Sequence, residues 1–163
     1  MRLLVVCLGN ICRSPLAEGV LRARIAASPL AGRVELDSAG TGDWHVGDPP
    51  DRRAIAKARE YGIDIAQLRA RQLRGGDHHD FDWLLCADRG NLRDVRARAP
   101  EGARARSALL LEWAGVPGVT EIPDPYTGGP AQFEHVYRLL DAAAAGVIAR
   151  LATAGEQSRP GHG

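Results

Sequence analysis

An α/β sandwich, one parallel sheet with helices on both faces, is the architecture this sequence predicts, and three features predict it. Short apolar runs alternate with segments of helical periodicity, the order that βαβ units require. The 163 residues suit a single domain, and 45% hydrophobic with 25% charged side chains is ordinary for a soluble globular protein. The connections after the apolar runs are rich in Gly, Pro, Asn and Asp, and in such folds ligands bind beyond the carboxyl ends of strands.

Arg2 to Val6 is apolar and partly β-branched, so it reads as a buried strand. Ser14-Pro15 supplies a helix-opening pair, with Ser as N-cap, and Leu16, Val20, Leu21 and Ile25 recur at helical spacing up to a stop near Ser28-Pro29. Val34 to Ser38 is a second strand, followed by a turn over Ala39-Gly40-Thr41-Gly42. Trp44 to Asp51 contains Gly47, Pro49 and Pro50 and is a loop; a helix from Asp51 to Tyr61 follows, stopped by Gly62. Phe81 to Ala87 is a third strand, Asn91 to Arg98 a helix, and Ser107 to Leu111 a fourth strand. Glu121 to Pro130 is a loop, Ala131 to Ala152 the longest helix, and residues 153–163 a polar, flexible tail after a domain spanning 1–152.

The charge balance excludes some function classes. With 21 basic and 20 acidic side chains the net charge is +1, unlike the clustered basic face that nucleic acid selects. All the basic residues except Lys57 are arginine, a bias to which no function is assigned. No apolar run approaches the roughly 20 residues of a membrane span. The start of the chain lacks a signal-peptide pattern, and three cysteines fit a reducing compartment, so a cytoplasmic protein is expected. Cys7, Cys12 and Cys86 form no zinc-finger spacing with histidine, and His45, His78, His79, His135 and His162 form no ligand pattern. Neither a metal nor another cofactor is expected, and His78-His79 reads as solvated.

The chemistry concentrates in Cys7-Leu8-Gly9-Asn10-Ile11-Cys12-Arg13-Ser14, between the first strand and the first helix. A loop at that junction turns its N–H groups and those of the helix's first turn toward one point, which suits a tetrahedral oxyanion. Gly9 and Asn10 tolerate unusual backbone angles. Arg13 can offer a planar fork of donors to two oxygens of one anion. Cys7 at the floor is placed to act as a thiolate nucleophile on phosphorus, giving a thiophosphate intermediate. The Gly-Lys-Ser/Thr ending of a nucleotide-binding Walker loop is missing.

Val6 to Pro15 resembles the signature of the low-molecular-weight protein tyrosine phosphatases. The resemblance continues through Asp37-Ser38-Ala39-Gly40-Thr41, Trp44-His45-Val46-Gly47, Asp51-Arg52-Arg53, Ala70-Arg71-Gln72-Leu73, Asp88-Arg89-Gly90-Asn91-Leu92 and Asp124-Pro125-Tyr126, nearly the whole chain before the tail. It implies a four-stranded parallel sheet and hydrolysis of phosphotyrosine. Cys7 would be the nucleophile, Arg13 the phosphate clamp, and Asp124 the general acid and then the base. Leu8, Gly9, Asn10, Ile11, Cys12 and Ser14 would form the phosphate-binding loop, with Ser14 and Asn10 holding its shape and Ser38 able to join them.

The resemblance also places Trp44 and Tyr126 at the pocket mouth. It suggests a protective Cys7–Cys12 disulfide on oxidation. Two departures stand out: Leu68 or Gln67 occupies a position that often carries histidine, and Thr127 replaces a second aromatic residue after Tyr126. Implied partners are phosphotyrosine proteins, including bacterial tyrosine kinases of surface-polysaccharide export, with inorganic phosphate as product and a monomer or weak homodimer as the assembly. Rival readings are a protein arginine phosphatase, disfavoured by Ile11 where those relatives carry threonine; a thioredoxin-coupled arsenate reductase, disfavoured by Arg93 in place of a second relay cysteine after Cys86; and a non-catalytic phosphate-binding module.

Overall fold

A computed structural model of the protein describes residues 1–157. Strand β1 (Arg2–Cys7) leads through a loop into helix α1 (Arg13–Ala26), then β2 (Glu35–Gly40), α2 (Arg52–Glu60), the one-turn α3 (Asp77–Asp80), β3 (Trp83–Cys86), α4 (Arg89–Ala97), β4 (Arg106–Leu109), the short α5 (Leu110–Trp113) and α6 (Pro130–Gln157). All strand pairs are parallel, in the order β2-β1-β3-β4. Covered on both faces, β1 is a continuous apolar run, with Leu3 through Cys7 all buried.

Alternation along β1 divides the core. Leu3, Val5 and Cys7 face the layer built by α1, α5 and α6, whereas Leu4 and Val6 face Phe81, Cys86 and Val95 on the other side. Cys7 and Cys86 therefore belong to opposite layers. The strand order reverses at β1: the chain leaves it toward β2 on one side and reaches β3 on the other. The crevice of a doubly wound sheet opens at that reversal, beyond the carboxyl ends of β1 and β3, and the loop after Cys7 lies there.

Several boundaries differ from the expected ones for visible reasons. Ser14 is not the N-cap of α1: the cap position is Cys12, without a side-chain cap, and the Ser14 hydroxyl is engaged inside the loop. Strand β2 continues through Ala39 and Gly40 instead of turning, because Gly40 donates to the Arg71 carbonyl and accepts from the Leu73 N–H. The fourth strand ends at Leu109, and Leu110 and Leu111 begin α5 as fully buried core residues. Helix α4 starts earlier than expected, on a capping box made by Asp88 and Asn91. Helix α6 runs to Gln157, past the boundary expected at Ala152; the rest of the expected tail lies outside the described residues. Gly146 lets α6 approach α5 closely, since a Cβ there would fall 2.0 Å from the Ala114 carbonyl oxygen. No helix among the described residues is long and apolar enough to cross a membrane.

The reading of His78 as solvated is overturned: it is only 2% exposed, in the unexpected helix α3. The buried Asp77 carboxylate holds that turn in place by accepting from Arg71 and from the Arg74 N–H. The His78 carbonyl accepts from the N–H groups of Arg104 and Ala105 ahead of β4. Burial, partly offset by Asp77, lowers the His78 pKa from 6.5. The unfolded chain therefore binds a proton that the folded protein resists, and stability falls as pH drops below about 6.5. Denaturant unfolding at pH 7.5 and 5.5 should show this loss, and His78→Gln should shrink it; an unchanged pH difference in the variant would refute the assignment.

Candidate active site

The loop leaving β1 is fastened from β2, where Thr41 and Gly42 donate to the Cys7 and Leu8 carbonyls at 2.9 Å each. Gly40 makes this possible, because a Cβ there would sit 2.7 Å from the Leu8 oxygen. Asn10 is the only described non-glycine residue with positive φ, at 57°. This left-handed step turns the chain around the sulfur and lets its own N–H donate to Cys7 Sγ at 3.3 Å. The N–H groups of Gly9, Ile11, Cys12 and Arg13 donate to no described residue. Those of Cys12 and Arg13 lead into the N-terminal turn of α1, which adds its dipole.

Asn10 is also the hub of a buried hydrogen-bond chain. Its side-chain oxygen accepts from the Arg71 N–H at 3.0 Å, and its amide nitrogen donates to Ser14 Oγ at 2.7 Å and Ser38 Oγ at 3.0 Å. Ser38 passes its own proton to Glu18 Oε1, 2.8 Å away. Glu18 is buried on α1, where burial raises its pKa, and its other oxygen pairs with Arg22 at 2.7 Å. With both Asn10 hydrogens spent, the Ser14 proton is free for Cys7 Sγ at 3.0 Å. The chain thus ends with a hydroxyl and a backbone N–H both directed at the sulfur. Leu68, in place of histidine, packs against the core instead of entering this chain.

Arg13 is 4% exposed and held from one side. Its Nη1 donates to Asp88 Oδ2 at 2.8 Å and to the Ile122 carbonyl at 3.0 Å. Its Nη2 lies 3.8 Å from Asp124 Oδ2, and no described residue accepts a hydrogen bond from Nε or Nη2. Asp124 is half exposed, with Oδ1 accepting from the Tyr126 N–H at 3.0 Å. Arg53 holds the segment after Asp124: it donates to the Tyr126 and Gly128 carbonyls at 2.8 and 3.0 Å while gripping Asp51. That grip keeps the Asp51 carboxyl below its usual range, and the Asp51 N–H donates to Ile11 at 2.8 Å, inside the loop.

These groups line one cavity of about 350 Å³: Cys7, Leu8, Gly9, Ile11, Cys12 and Arg13 form its base, and Trp44, His45, Asp124 and Tyr126 its walls. Trp44 and Tyr126 are 61% and 51% exposed at the mouth, and His45 pairs with Asp48 at 3.2 Å. The three cysteines are free thiols. Burial, reinforced by Asp51, pushes Cys12 up to about 12, and burial pushes Cys86 to about 12 as well. Every residue singled out for the site except Asn10, Ser14 and Ser38 lines this cavity, and those three form the chain behind it. Asp88, Arg53, Arg71, Glu18 and His45 have no individual role assigned from sequence reasoning. Two of them carry a signal: Asp88 directly follows a buried strand, and Glu18 interrupts the apolar face of α1.

In sequence and in fold the chain is similar to known phosphatases. The sequence model of the family "Low molecular weight phosphotyrosine protein phosphatase" matches residues 2–157. A low molecular weight phosphotyrosine protein phosphatase of Schizosaccharomyces pombe is 43% identical over 144 residues, 86% of this chain and 91% of that one. The crystal structure of a protein tyrosine phosphatase from Entamoeba histolytica superposes with a TM-score of 0.88 at 33% identity, covering 95% and 99% of the two chains. A Drosophila arginine phosphatase superposes with a TM-score of 0.85 at 27% identity, covering 93% and 98%.

Replacing Asn10 tests the hub against the backbone angle. Asn10→Gly keeps the left-handed step and removes the side chain, stranding the buried partners at about 1–3 kcal/mol. Stability should drop in both Asn10→Gly and Asn10→Ala by denaturant titration. Full recovery in the glycine variant would show that only the angle matters.

Proposed function

The chain belongs to the low molecular weight phosphotyrosine protein phosphatase family, and from that premise we propose that it hydrolyses phosphotyrosine in proteins through a cysteinyl-phosphate intermediate. The observation that carries this reading is the shared cavity, in which the Cys7 sulfur, the open donors of Arg13 and the Asp124 carboxylate face one another. Cys7 Sγ attacks phosphorus; the S–P bond forms as the P–O bond to the phenol breaks, and Asp124 gives the departing oxygen its proton. Water then attacks the same phosphorus, Asp124 takes its proton, and the S–P bond breaks to release inorganic phosphate and restore the thiolate.

The protein's contribution is electrostatic and positional. Arg13 Nε and Nη2, with the free loop N–H groups, supply preorganised donors to the equatorial oxygens in both steps. Asp88 and the Ile122 carbonyl fix the guanidinium so that this edge faces the cradle. Protonating the phenolate contributes about 10²–10⁴-fold, and Arg53 holds the segment that presents Asp124. The exposed faces of Trp44 and Tyr126 suit a flat phenyl ring at the mouth. Ile11 lines the same cavity and gives a guanidinium no acceptor.

An arsenate-reductase relay through Cys86 finds no support, since that thiol is fully buried in the opposite core layer. Phosphotyrosine-bearing proteins are the proposed substrates, tyrosine kinases of surface-polysaccharide export among them, and the cytosol, where a free thiolate persists, is the proposed compartment.

Phosphate release from a phosphotyrosine peptide should vanish in Cys7→Ser. In Asp124→Ala it should fall by about 10²–10⁴-fold, and by less with an aryl phosphate whose phenol is acidic and needs no proton. Turnover surviving in Cys7→Ser would overturn the mechanism, and preference for a phosphoarginine peptide would overturn the substrate. Iodoacetamide at pH 7.5, followed by peptide mass spectrometry, should label Cys7 and spare Cys12 and Cys86, whose thiols burial keeps protonated.

A further inference from the structure

A second cavity, of about 790 Å³, lies at the free edge of β4, between α4, α5 and α6. Its floor carries Trp83 and Trp113, with ring centroids 5.5 Å apart, and its rim carries Arg89, Arg93, Arg96 and Arg150. Only one carboxylate, Glu112, lines it. In a chain whose net charge is +1, this is a local excess of positive charge.

Two of the rim arginines, Arg96 and Arg150, are held in place without being neutralised. Arg150 sits 4.5 Å over the Trp113 ring and 5.7 Å over Trp83, and donates to the Trp113 carbonyl at 3.1 Å. Arg96 reaches Ser107 Oγ and its carbonyl at 3.2 and 3.3 Å. Neither contact supplies a counter-charge. Arg93 has no hydrogen bond or ion pair with any described residue, and Arg89 alone is paired, with Glu121. Trp113 also keeps a buried Nε1 without an acceptor.

The groove is linked to the catalytic cavity through the start of α4. Helix α4 begins directly after Asp88, which holds Arg13, and Arg89 donates to Thr120 Oγ1, two residues before the Ile122 carbonyl that also holds Arg13. Arg89, Arg93 and Arg96 fall at i, i+4 and i+7, a row about 10 Å long that three or four residues of extended chain would span.

We infer that this groove docks anionic side chains, carboxylates or a second phosphate, of the same protein whose phosphotyrosine occupies the catalytic cavity. The inference rests on the phosphatase reading. Charge complementarity and the link through Asp88 and Arg89 to the groups that hold Arg13 favour a flanking segment of the substrate, and the held guanidiniums of Arg96 and Arg150 offer its anions donors already oriented.

Three phosphotyrosine peptides test it: one with acidic flanks, one with alanine flanks and one carrying a second phosphotyrosine, each assayed for kcat/KM beside a small aryl phosphate. The wild type should prefer the acidic or doubly phosphorylated peptide by roughly five- to tenfold at low salt, with the preference fading as salt rises. Arg93→Glu should remove the preference and leave aryl phosphate turnover unchanged, while Arg33→Glu, on an exposed residue beside the opposite edge strand, should preserve it. The larger gain identifies the anion. Equal rates on all peptides in the wild type, a preference untouched by Arg93→Glu, or equal loss in Arg33→Glu would each overturn the docking site. Failure of the phosphatase reading would show separately, as absent turnover of the aryl phosphate.

Discussion

The N–H groups of Gly9, Ile11, Cys12 and Arg13 have no acceptor among the described residues, and much of the surrounding structure compensates for that. Donors left unpaired around one cavity repel each other and gain nothing from folding unless an anion arrives. A loop of this kind needs outside anchors. Two hydrogen bonds from the extension of β2 hold its first carbonyls, and the hub at Asn10 ties its apex to α1, β2 and the Arg71 segment. The extra pairing that carries β2 through Gly40 is part of the same arrangement, since it brings the Arg71 segment within reach of Asn10.

The second constraint is that two loops far apart in sequence meet at one cavity. Asp124 lies in an irregular, partly exposed stretch, and such segments move unless they are tied. Arg53 supplies the tie: its guanidinium spans the Asp51 carboxylate and two carbonyls after Asp124, and stacks over Phe133 at 4.7 Å. Because the Asp51 N–H is bonded to Ile11, the nucleophile loop and the segment carrying Asp124 share one anchor. The start of α2 therefore registers two parts of the site against each other, although neither Asp51 nor Arg53 lines the cavity.

The alternation of apolar runs with helical periodicity placed the central strands β1 and β3 because they are buried and apolar, and the half-buried edge strands β2 and β4 followed from their positions between helices. The Cys7-to-Arg13 spacing likewise pointed to the strand-to-helix turn that the structure builds at the base of the cavity. The missed features depend on contacts between distant segments. Ser14 before Pro15 has the local chemistry of a cap, but a buried amide and sulfur claim its hydroxyl. His78 sits among aspartates, which reads as solvated, yet Asp77 is turned inward to meet Arg71. Asp88 could be placed at a strand's end, whereas its partnership with Arg13 joins residues 75 apart.

The electrostatics of Arg13 connect resting and working states. A guanidinium 4% exposed loses most of its hydration and needs counter-charge at all times. Asp88 provides it permanently at 2.8 Å, while Asp124 stands at 3.8 Å, too far for a full hydrogen bond. One carboxylate fixes the arginine and the other remains free to exchange protons. A phosphate dianion entering between Arg13 and the loop would replace that weaker contact with two direct donors and crowd negative charge against Asp124. In the proposed reaction the same half-exposed carboxylate meets first the departing phenol and then the water that replaces it, so two acids around one buried arginine would serve both halves.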